Sequence, residues 1–503
     1  MNAVNLYTLT RDVDGEIKSL YEKALSQRDD KIKIREEEYA LIRSIINNLI
    51  FCRTDTKSLE DWFYSFTIPQ IGKEFDLLKI GKNYTINIEL KSQEVSEERI
   101  IKQLTQNRYY LSHISKEIYS FTYMKCEDES AKLLEYCDGK LKERSFEKLM
   151  EIIKGVEQPK QSEVERLFRP QDYLISPLNT PEKFLHGHYY LNNQQEEIKK
   201  KIIDGISRGE GLWGICGSAG TGKTLLLYDV AKALAENFRI CVIHCGMLSE
   251  GHLYLNSHME KVSIIDAKSL TKEILNGFEI ICIDESQRLY TSGMDIVLTA
   301  YSNNIVRGCI FSYDFAQALS KTEVRRNNPE RLAKIQDFHE QKLTTRIRTN
   351  KEIYSFIRNM MRLYDRPQKR VDYKNIDIVY ANDMDESDQL SRIFRKRGYT
   401  FITFTPSQYV SNTIDHYSAY MNSHQVIGQE FDNVVLVLDN NFRYSKKGEL
   451  EAKEHPNPDY LFPRLFFQNI SRAREKLCII VLGNMDLFKT LLMIKENELE
   501  EIS

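Results

Sequence analysis

The feature that most constrains this 503-residue chain is a glycine-rich loop between an apolar run and a helical pattern. The loop spans Gly217–Thr224 (GSAGTGKT), with GLWGIC before it and LLLYDVAKAL after it. Glycines let backbone N–H groups approach phosphate oxygens, and a helix N-terminus favours an anion. We expect Lys223 to contact the β- and γ-phosphates of ATP and Thr224 to ligate Mg²⁺. The other nucleotide-binding residues predicted in this loop are Gly217, Gly220, Thr221 and Gly222.

A second apolar run, EIICI, ends in the acidic pair Asp284 and Glu285. An isolated pair of this kind is more often a helix cap than a site. Beside a phosphate loop, however, one carboxylate can hold Mg²⁺ and the other can act as general base on the attacking water. We therefore expect Asp284 to serve the metal and Glu285 to serve catalysis, which predicts an ATP-hydrolysing enzyme.

Short β-branched apolar runs alternate with helical patterns from residue 189 onward. They are GLWGIC, RICVIHC, EIICID, GCIFSY, YTFITFT, NVVLVLD and LCIIVLG. Strands this apolar, separated by helices, indicate parallel sheets covered on both faces, so the predicted fold class is α/β. The chain is also too long for one hydrophobic core. A proline-rich segment, 154–188, predicts a linker between a front domain, 1–153, and two further domains, 189–345 and 346–503.

Composition excludes several classes of protein. No stretch is long and apolar enough for a membrane helix, and the N-terminus lacks the apolar region of a signal peptide. Nine scattered cysteines predict buried free thiols rather than disulfides or zinc. We expect a soluble, cytoplasmic protein. Net charge is only −3, yet residues 321–374 hold 15 Lys and Arg against 7 Asp and Glu, which indicates either a solvated helix face or a nucleic-acid surface.

The order of short motifs after residue 189 resembles that of superfamily 1 helicases, and more narrowly the helicase-like domain of Schlafen proteins. The matching segments are LNNQQ (191–195), DESQR (284–288), DFAQ (314–317), LTTRIRT (343–349), SHQVIGQEFD (423–432) and NISRAR (469–474). They resemble, in order, the Q motif, motifs II and III, an arginine-supplying motif, and motifs V and VI. The resemblance implies two RecA-like lobes, each a doubly wound parallel sheet.

The same resemblance implies further site residues. Gln195 would contact adenine and Gln317 would sense the γ-phosphate, while Arg348 and Arg472 would reach the phosphates from the second lobe. Closure of the lobes on ATP would complete the site, and hydrolysis would reopen it. Motif V would add two nucleotide-binding residues, Gly428 and Glu430.

Two departures from the family pattern concern motif V and size. The lysine that usually precedes the motif V glycine is replaced by Ile427. Only 60 residues separate Lys223 from Asp284, and only 75 separate Arg348 from His424. These spans leave no room for the large inserted subdomains of processive helicases. We therefore expect an ATPase with nucleic-acid-stimulated translocation rather than strand separation.

The front domain contains a hairpin pattern within residues 75–92 (FDLLKIGKNYTINIELKS), where Gly-Lys-Asn forms the turn. Alternation along the second strand directs Glu89 and Lys91 to one face. Taken alone, these two residues would decorate the solvent face of a half-buried strand. Asp76 on the preceding strand, however, can approach Glu89 across the hairpin.

Two helical patterns flank this hairpin. In REEEYALIRSIINNLI, Glu38 falls on the apolar stripe that continues through Leu41, Ile42 and Ile45. A carboxylate on a core-facing stripe costs stability unless a partner is present. The helix after the hairpin, SEERIIKQLTQNRYYL, carries Gln103.

The arrangement over residues 30–125 resembles the PD-(D/E)xK nucleases, which have the restriction-endonuclease-like α/β fold. The resemblance implies that Asp76 and Glu89 hold one or two Mg²⁺ ions, with Mn²⁺ as an alternative, because carboxylate oxygens suit these hard cations. Lys91 would orient or activate the attacking water. The supporting residues implied are Glu38 and Gln103, with Glu37 and Gln106 as their respective alternatives.

The two constellations together predict a Mg²⁺-dependent nuclease joined to a nucleic-acid-stimulated ATPase. Family analogy alone favours DNA over RNA as the substrate, and bacterial DNA processing or anti-phage defence as the role. One alternative is a motor whose front domain only grips nucleic acid. Another is a switch in which ATP binding controls assembly into an oligomer or with a partner protein.

Overall fold

The computed structural model divides into two units, Met1–Tyr173 and Leu174–Ser503. This division falls inside the proline-rich segment 154–188.

Among the described residues, no helix is long and apolar enough to cross a bilayer, and eight cysteines are free thiols. The structure describes residues 1–11, 13, 15–27, 36–51, 56–68, 71, 73–126, 130–157, 164–168, 173, 175–344, 350–406, 412–453 and 460–499.

The first unit is built on one six-stranded sheet in the order β1-β2-β3-β4-β5-β6. Neighbouring strands are antiparallel, except that β3 and β4 are parallel and joined by a crossover helix. The strands are β1 (Phe63–Thr67), β2 (Glu74–Ile80), β3 (Thr85–Lys91), β4 (Ile118–Lys125), β5 (Ala131–Cys137) and β6 (Lys140–Glu143). The helices are α1 (Leu6–Leu9), α2 (Gly15–Ser26), α3 (Glu36–Phe51), α4 (Glu97–Leu111), α5 (Phe146–Lys154) and α6 (Val164–Leu167).

Strands β2 and β3 form the hairpin that the sequence predicts, with Leu77 opposite Ile88. From Thr85 to Leu90 every side chain of β3 is buried, so the strand has no solvent face. The interpretation of a half-buried strand is therefore wrong, because α4 covers the polar face of β3. A polar side chain on that face must find its partners inside the unit.

The first lobe of the second unit contains a parallel sheet in the order β12-β7-β11-β10-β8-β9. Its strands are β7 (Leu212–Gly217), β8 (Ile240–His244), β9 (Val262–Asp266), β10 (Ile280–Asp284), β11 (Gly308–Tyr313) and β12 (Phe338–Leu343). Its helices are α7 (Pro181–Leu185), α8 (Asn193–Arg208), α9 (Lys223–Leu234), α10 (Glu250–His258), α11 (Lys272–Leu275), α12 (Thr291–Ser302), α13 (Lys321–Arg326) and α14 (Asn328–Ala333). A 3-10 turn, Ser286–Arg288, follows β10, and another, Phe315–Gln317, follows β11.

The second lobe contains a parallel sheet in the order β13-β19-β16-β14-β15 and a small antiparallel pair, β17-β18. Its strands are β13 (Ile376–Ala381), β14 (Thr400–Thr403), β15 (Met421–Asn422), β16 (Phe431–Leu438), β17 (Phe442–Tyr444), β18 (Leu450–Ala452) and β19 (Ala473–Leu482). Its helices are α15 (Lys351–Met361), α16 (Met384–Lys396), α17 (Asn412–His416), α18 (Phe462–Ile470) and α19 (Met485–Lys495).

The α/β fold class is confirmed, and all seven apolar runs of the sequence contain strands of these two sheets. The sequence pattern missed β9, β12, β13 and β15, which lie at sheet edges. Their side chains are partly exposed, since an edge strand does not need to be apolar on both faces.

Candidate nucleotide and nuclease sites

The glycine-rich loop lies between β7 and α9, where strand β7 ends at the sheet's carboxyl edge. Gly220 and Gly222 have φ angles of 76° and 83°, a left-handed backbone that side chains disfavour. Lys223 is 8% exposed, and its Nζ donates to the backbone oxygens of Gly217 at 2.9 Å and Ser218 at 3.1 Å. The lysine therefore folds back over its own loop.

Asp284 lies at the end of β10, fully buried. The Thr224 hydroxyl donates to its Oδ2 at 3.3 Å, and the Ser312 hydroxyl donates to its Oδ1 at 2.6 Å. Burial opposes ionisation of Asp284, but His244 Nδ1 at 3.5 Å and the Ser312 hydroxyl outweigh it, so the pKa lies below its usual value. A hydroxyl next to an ionised carboxylate is a donor set that suits Mg²⁺.

Glu285 has a φ of 57°, which is uncommon for a residue other than glycine and places strain at this site. Its Oε2 accepts from Gln287 Nε2 at 2.6 Å and from Arg288 Nε at 3.3 Å. Gln287 also accepts, through Oε1, from the backbone N–H of Asp314. The carboxylate is therefore held on one side by two side chains of its own turn.

One cleft, here called the phosphate cleft, collects residues from both lobes of the second unit. The second lobe contributes Arg472, which is 6% exposed and donates to the backbone oxygens of Gln468 at 3.1 Å and Gln429 at 3.3 Å. Burial lowers the pKa of Arg472 from its usual value. Nine residues predicted from the sequence line this cleft: Gly220, Gly222, Lys223, Thr224, Glu285, Gln317, Gly428, Glu430 and Arg472.

Other predicted residues take part in local structure instead. Gln195 is buried. Its Oε1 accepts the backbone N–H of Asn192, the N-cap of α8, and its Nε2 donates to the Thr221 backbone oxygen at 3.3 Å. Its contact with adenine stays a prediction. Thr221 is buried and donates to the Ser218 backbone oxygen at 2.9 Å. A Cβ on Gly217 would lie 2.9 Å from the Leu343 backbone oxygen, so this glycine permits a close approach. Arg348 lies outside the described residues.

A second cleft between the lobes, here called the basic cleft, is lined by Met247, Lys268, Arg288, Tyr290, Arg326 and His424 among others. Tyr290 is 53% exposed, and the Arg326 guanidinium lies 4.8 Å from the centre of its ring. Two acidic residues, Asp266 and Glu323, also line the cleft, but both accept backbone hydrogen bonds. Burial, Arg288 and Lys268 lower the pKa of His424 to about 4. The basic run 321–374 of the sequence includes Arg326, but the other residues of this cleft were not identified from the sequence.

In the first unit, Glu89 lies on β3 and is 1% exposed. Its Oε1 accepts from Asn107 Nδ2 at 2.6 Å, and its Oε2 accepts from Gln103 Nε2. Lys91 Nζ lies 4.0 Å from the same Oε2. Asp76, on the neighbouring strand, accepts the Leu90 backbone N–H at 2.7 Å. The structure therefore brings the predicted Asp76, Glu89, Lys91 and Gln103 together.

The electrostatics of this group suit a cation. Burial, followed by the charge of Asp76, raises the pKa of Glu89 to about 7, against the opposing charges of Lys73 and Lys91. Burial lowers the pKa of Lys73. A divalent ion would relieve the repulsion between the two carboxylates, and Mg²⁺ often binds through one or two carboxylates plus water.

Two members of this group were missed by the sequence analysis. Asn107 lies one helical turn after Gln103, so the i, i+4 spacing on α4 could have identified it. Lys73 precedes β2 and carried no recognisable signal. Glu38 is half-exposed at the start of α3. In the described part of the chain, no three or more His, Cys, Asp or Glu side chains group as a metal site. The supporting role of Glu38 stays a prediction.

Comparisons with known proteins give only distant structural likenesses. No family model matches the chain, and no curated protein matches it. The crystal structure of Pif1 helicase from Bacteroides in complex with ADP-AlF3 and ssDNA is 14% identical, covers 56% of this chain and 91% of its own, and has a TM-score of 0.31. The crystal structure of Pif1 helicase from Candida albicans is 12% identical, covers 61% of this chain and 99% of its own, and has a TM-score of 0.32.

Proposed function

We propose that this chain is a Mg²⁺-dependent nuclease joined to a nucleic-acid-stimulated ATPase of the superfamily 1 helicase type. The observation that carries the proposal is the phosphate cleft, where Lys223 and Glu285 of one lobe face Arg472 of the other. Phosphoryl transfer needs positive charge on several oxygens at once, and this cleft supplies it from two sides.

Each side chain of the phosphate cleft has a role that its contacts support. Lys223 exchanges its two backbone acceptors for phosphate oxygens when ATP binds. Thr224 and Asp284 would hold Mg²⁺, which would neutralise charge on the phosphates. Glu285 accepts a proton from the attacking water. Gln317, in the wall of the cleft, detects the γ-phosphate.

The placement of Arg472 supports the proposal that the lobes move. This arginine lies on the second lobe, so its distance from the phosphates depends on how far the cleft is closed. ATP draws the lobes together and hydrolysis lets them part, which couples chemistry to movement. We therefore propose translocation along nucleic acid, with Arg348 as a second arginine from this lobe.

The basic cleft is the proposed track for nucleic acid. Arg326 and Lys268 supply positive charge for phosphates, and the exposed ring of Tyr290 offers a surface on which a base can stack. The cleft lies between the same two lobes, so a strand bound there would move when they move. We propose DNA as the substrate, with RNA as the alternative.

The nuclease activity is proposed for the group around Glu89. Asp76 and Glu89 would hold Mg²⁺ or Mn²⁺, which activates water and polarises a phosphodiester. Lys91 orients the attacking water, and Gln103 and Asn107 fix the Glu89 carboxylate. The residues present that fit a divalent cation are the two carboxylates, with amide donors on Glu89 and a lysine 4.0 Å from its Oε2.

The test is cleavage of labelled DNA and RNA with Mg²⁺ or Mn²⁺, with and without ATP, beside an ATPase assay. Lys91→Ala should abolish cleavage and leave ATPase intact, and Lys223→Ala should abolish ATPase. Cleavage that survives Lys91→Ala would refute the nuclease site. Intact substrates under all conditions would favour a motor with a nucleic-acid-gripping front domain.

Translocation is tested separately from hydrolysis. Directional, ATP-dependent displacement of streptavidin from biotinylated single-stranded DNA would support a motor. If ATP is hydrolysed and assembly changes with nucleotide, but streptavidin is never displaced, the chain is an ATP-gated switch instead. A Thr224→Ala variant, which lacks the proposed Mg²⁺ hydroxyl, serves as the matched inactive control.

A further inference from the structure

Arg288 occupies a position that the proposed chemistry does not yet use. It ends the turn Ser286–Arg288, three residues after Glu285, and is 6% exposed. Its Nε donates to Glu285 Oε2 at 3.3 Å, and its Nη2 donates to the Gln317 backbone oxygen at 3.1 Å. Among the described residues, its buried Nη1 has no hydrogen-bond acceptor. A buried charged donor without an acceptor costs free energy, so an acceptor brought to Arg288 Nη1 would be stabilising.

The same arginine belongs to the wall of the basic cleft. Arg288 lines that cleft together with Tyr290 and Arg326. Arg326 Nη1 donates to the backbone oxygens of Arg288 at 2.7 Å and Leu289 at 3.0 Å, and its guanidinium lies over the Tyr290 ring. One hydrogen-bonded unit thus runs from the basic cleft to the carboxylate of Glu285 in the phosphate cleft.

We infer that Arg288 transmits the presence of nucleic acid in the basic cleft to Glu285. In the structure, the guanidinium holds Oε2 of Glu285 and restrains the carboxylate within its own turn. A backbone phosphate in the basic cleft competes for the guanidinium, because arginine binds phosphate through two or more donors, including the unused Nη1. Loss of the Arg288 contact then leaves Gln287 as the described side-chain donor to Oε2 and lets the carboxylate turn toward the attacking water. This inference rests on the proposed function of both clefts.

The inference differs from a purely structural role for Arg288. A structural arginine that merely supports the Ser286–Arg288 turn would, when replaced, lower the ATPase rate with and without nucleic acid by the same factor. An arginine that restrains Glu285 would, when replaced, raise the rate without nucleic acid and remove most of the stimulation. The ratio of stimulated to basal rate therefore separates the two roles.

The experiment is a steady-state ATPase assay on the full chain, with and without saturating oligothymidylate. Arg288→Gln should raise the basal rate about tenfold, the equivalent of one charge-assisted hydrogen bond of about 1.4 kcal/mol. Its stimulation ratio should fall close to one. Arg331→Gln is the matched control, because Arg331 pairs with Asp295 at the surface. This control should keep both rates of the wild type.

A second variant and a binding measurement guard against misfolding. Arg288→Lys keeps the charge but has a different donor geometry, so it should give an intermediate stimulation ratio. Affinity for oligothymidylate without ATP should fall in both Arg288 variants, while affinity for a fluorescent ATP analogue should stay that of the wild type.

The failures of the two ideas can be told apart. If the wild type is stimulated and both Arg288 variants keep its ratio, the role of Arg288 is overturned while the proposed function stands. If the Arg288 variants lose basal and stimulated ATPase rates by the same factor, the role of Arg288 is likewise overturned. A wild type that neither DNA nor RNA stimulates would overturn the proposed function and this inference together.

Discussion

Glu89 should make the stability of the first unit depend on pH in a way that one substitution removes. Its pKa is raised from 4.5 to about 7 by burial and by Asp76. A tenfold change in proton affinity corresponds to about 1.4 kcal/mol. The increase in the pKa of Glu89 therefore means that folding destabilises its ionised form by about 3 kcal/mol. Because the folded state holds the proton more tightly, stability is highest below the unfolded pKa and falls as pH rises through the folded pKa.

Most of this loss falls in a window that is easy to measure. Between about pH 5.5 and about pH 8, the wild type should lose about 2 kcal/mol relative to a Glu89→Gln variant, and the difference should level off above about pH 7. The amide of the variant does not ionise, so it lacks this dependence. Other titrating groups act on both proteins and cancel in the comparison.

The assay uses the two tryptophans of the chain. Trp62 is buried in the first unit and Trp213 in the second. In a Trp213→Phe background, Trp62 fluorescence follows urea unfolding of the first unit alone. The measurements are made in EDTA so that no divalent ion competes with the proton. Parallel pH profiles for the wild type and the Glu89→Gln variant would refute the reasoning. Adding Mg²⁺ at high pH should stabilise the wild type more than the variant.

Three further predictions follow from single contacts. Asn107→Leu removes the 2.6 Å hydrogen bond to Glu89 and should destabilise the first unit by about 2 kcal/mol and reduce cleavage, while ATPase in the same preparation stays unchanged. Arg472→Lys should lower kcat for ATP about a thousandfold with little change in ATP affinity; an unaltered kcat would remove Arg472 from the site. Gly428→Ala should impair ATP hydrolysis, because φ is 76° and the new Cβ would lie 3.0 Å from Leu178 Cδ1. Gly398→Ala, with φ of 84° and nothing within 4 Å, carries the same backbone strain without the contact and should keep full ATPase activity.

Features that depend on neighbours along the chain could be predicted from the sequence. The glycine-rich loop before Lys223, the carboxylate at the end of β10 and the apolar central strands are all properties of short segments. The hairpin that places Asp76 near Glu89 follows from a turn and an alternating pattern. Local spacing determines these features because the periods of strands and helices fix which side chains share a face.

The tertiary structure decided what lies next to these segments. The edge strands β9, β12, β13 and β15 were missed because a half-exposed strand has no continuous apolar signal. The burial of Glu89 beneath Asn107 depends on how α4 packs, which no spacing within β3 encodes. The hydrogen bonds of Gln195 in the cap of its own helix likewise depend on contacts made in the fold.

The strongest case is the pairing of the two clefts. Resemblance to a family suggested that Arg472 and Lys223 belong to one site, but about 250 residues of chain separate them. Their common cleft arises only because two parallel sheets pack with their loop edges facing each other. The contact of Arg288 with Glu285 lies within one turn, and only the place of Arg288 in the wall of the basic cleft depends on the same packing. By itself the sequence therefore determined which polar and charged side chains each lobe contains. Long-range packing decided which of these side chains lie in the same cleft.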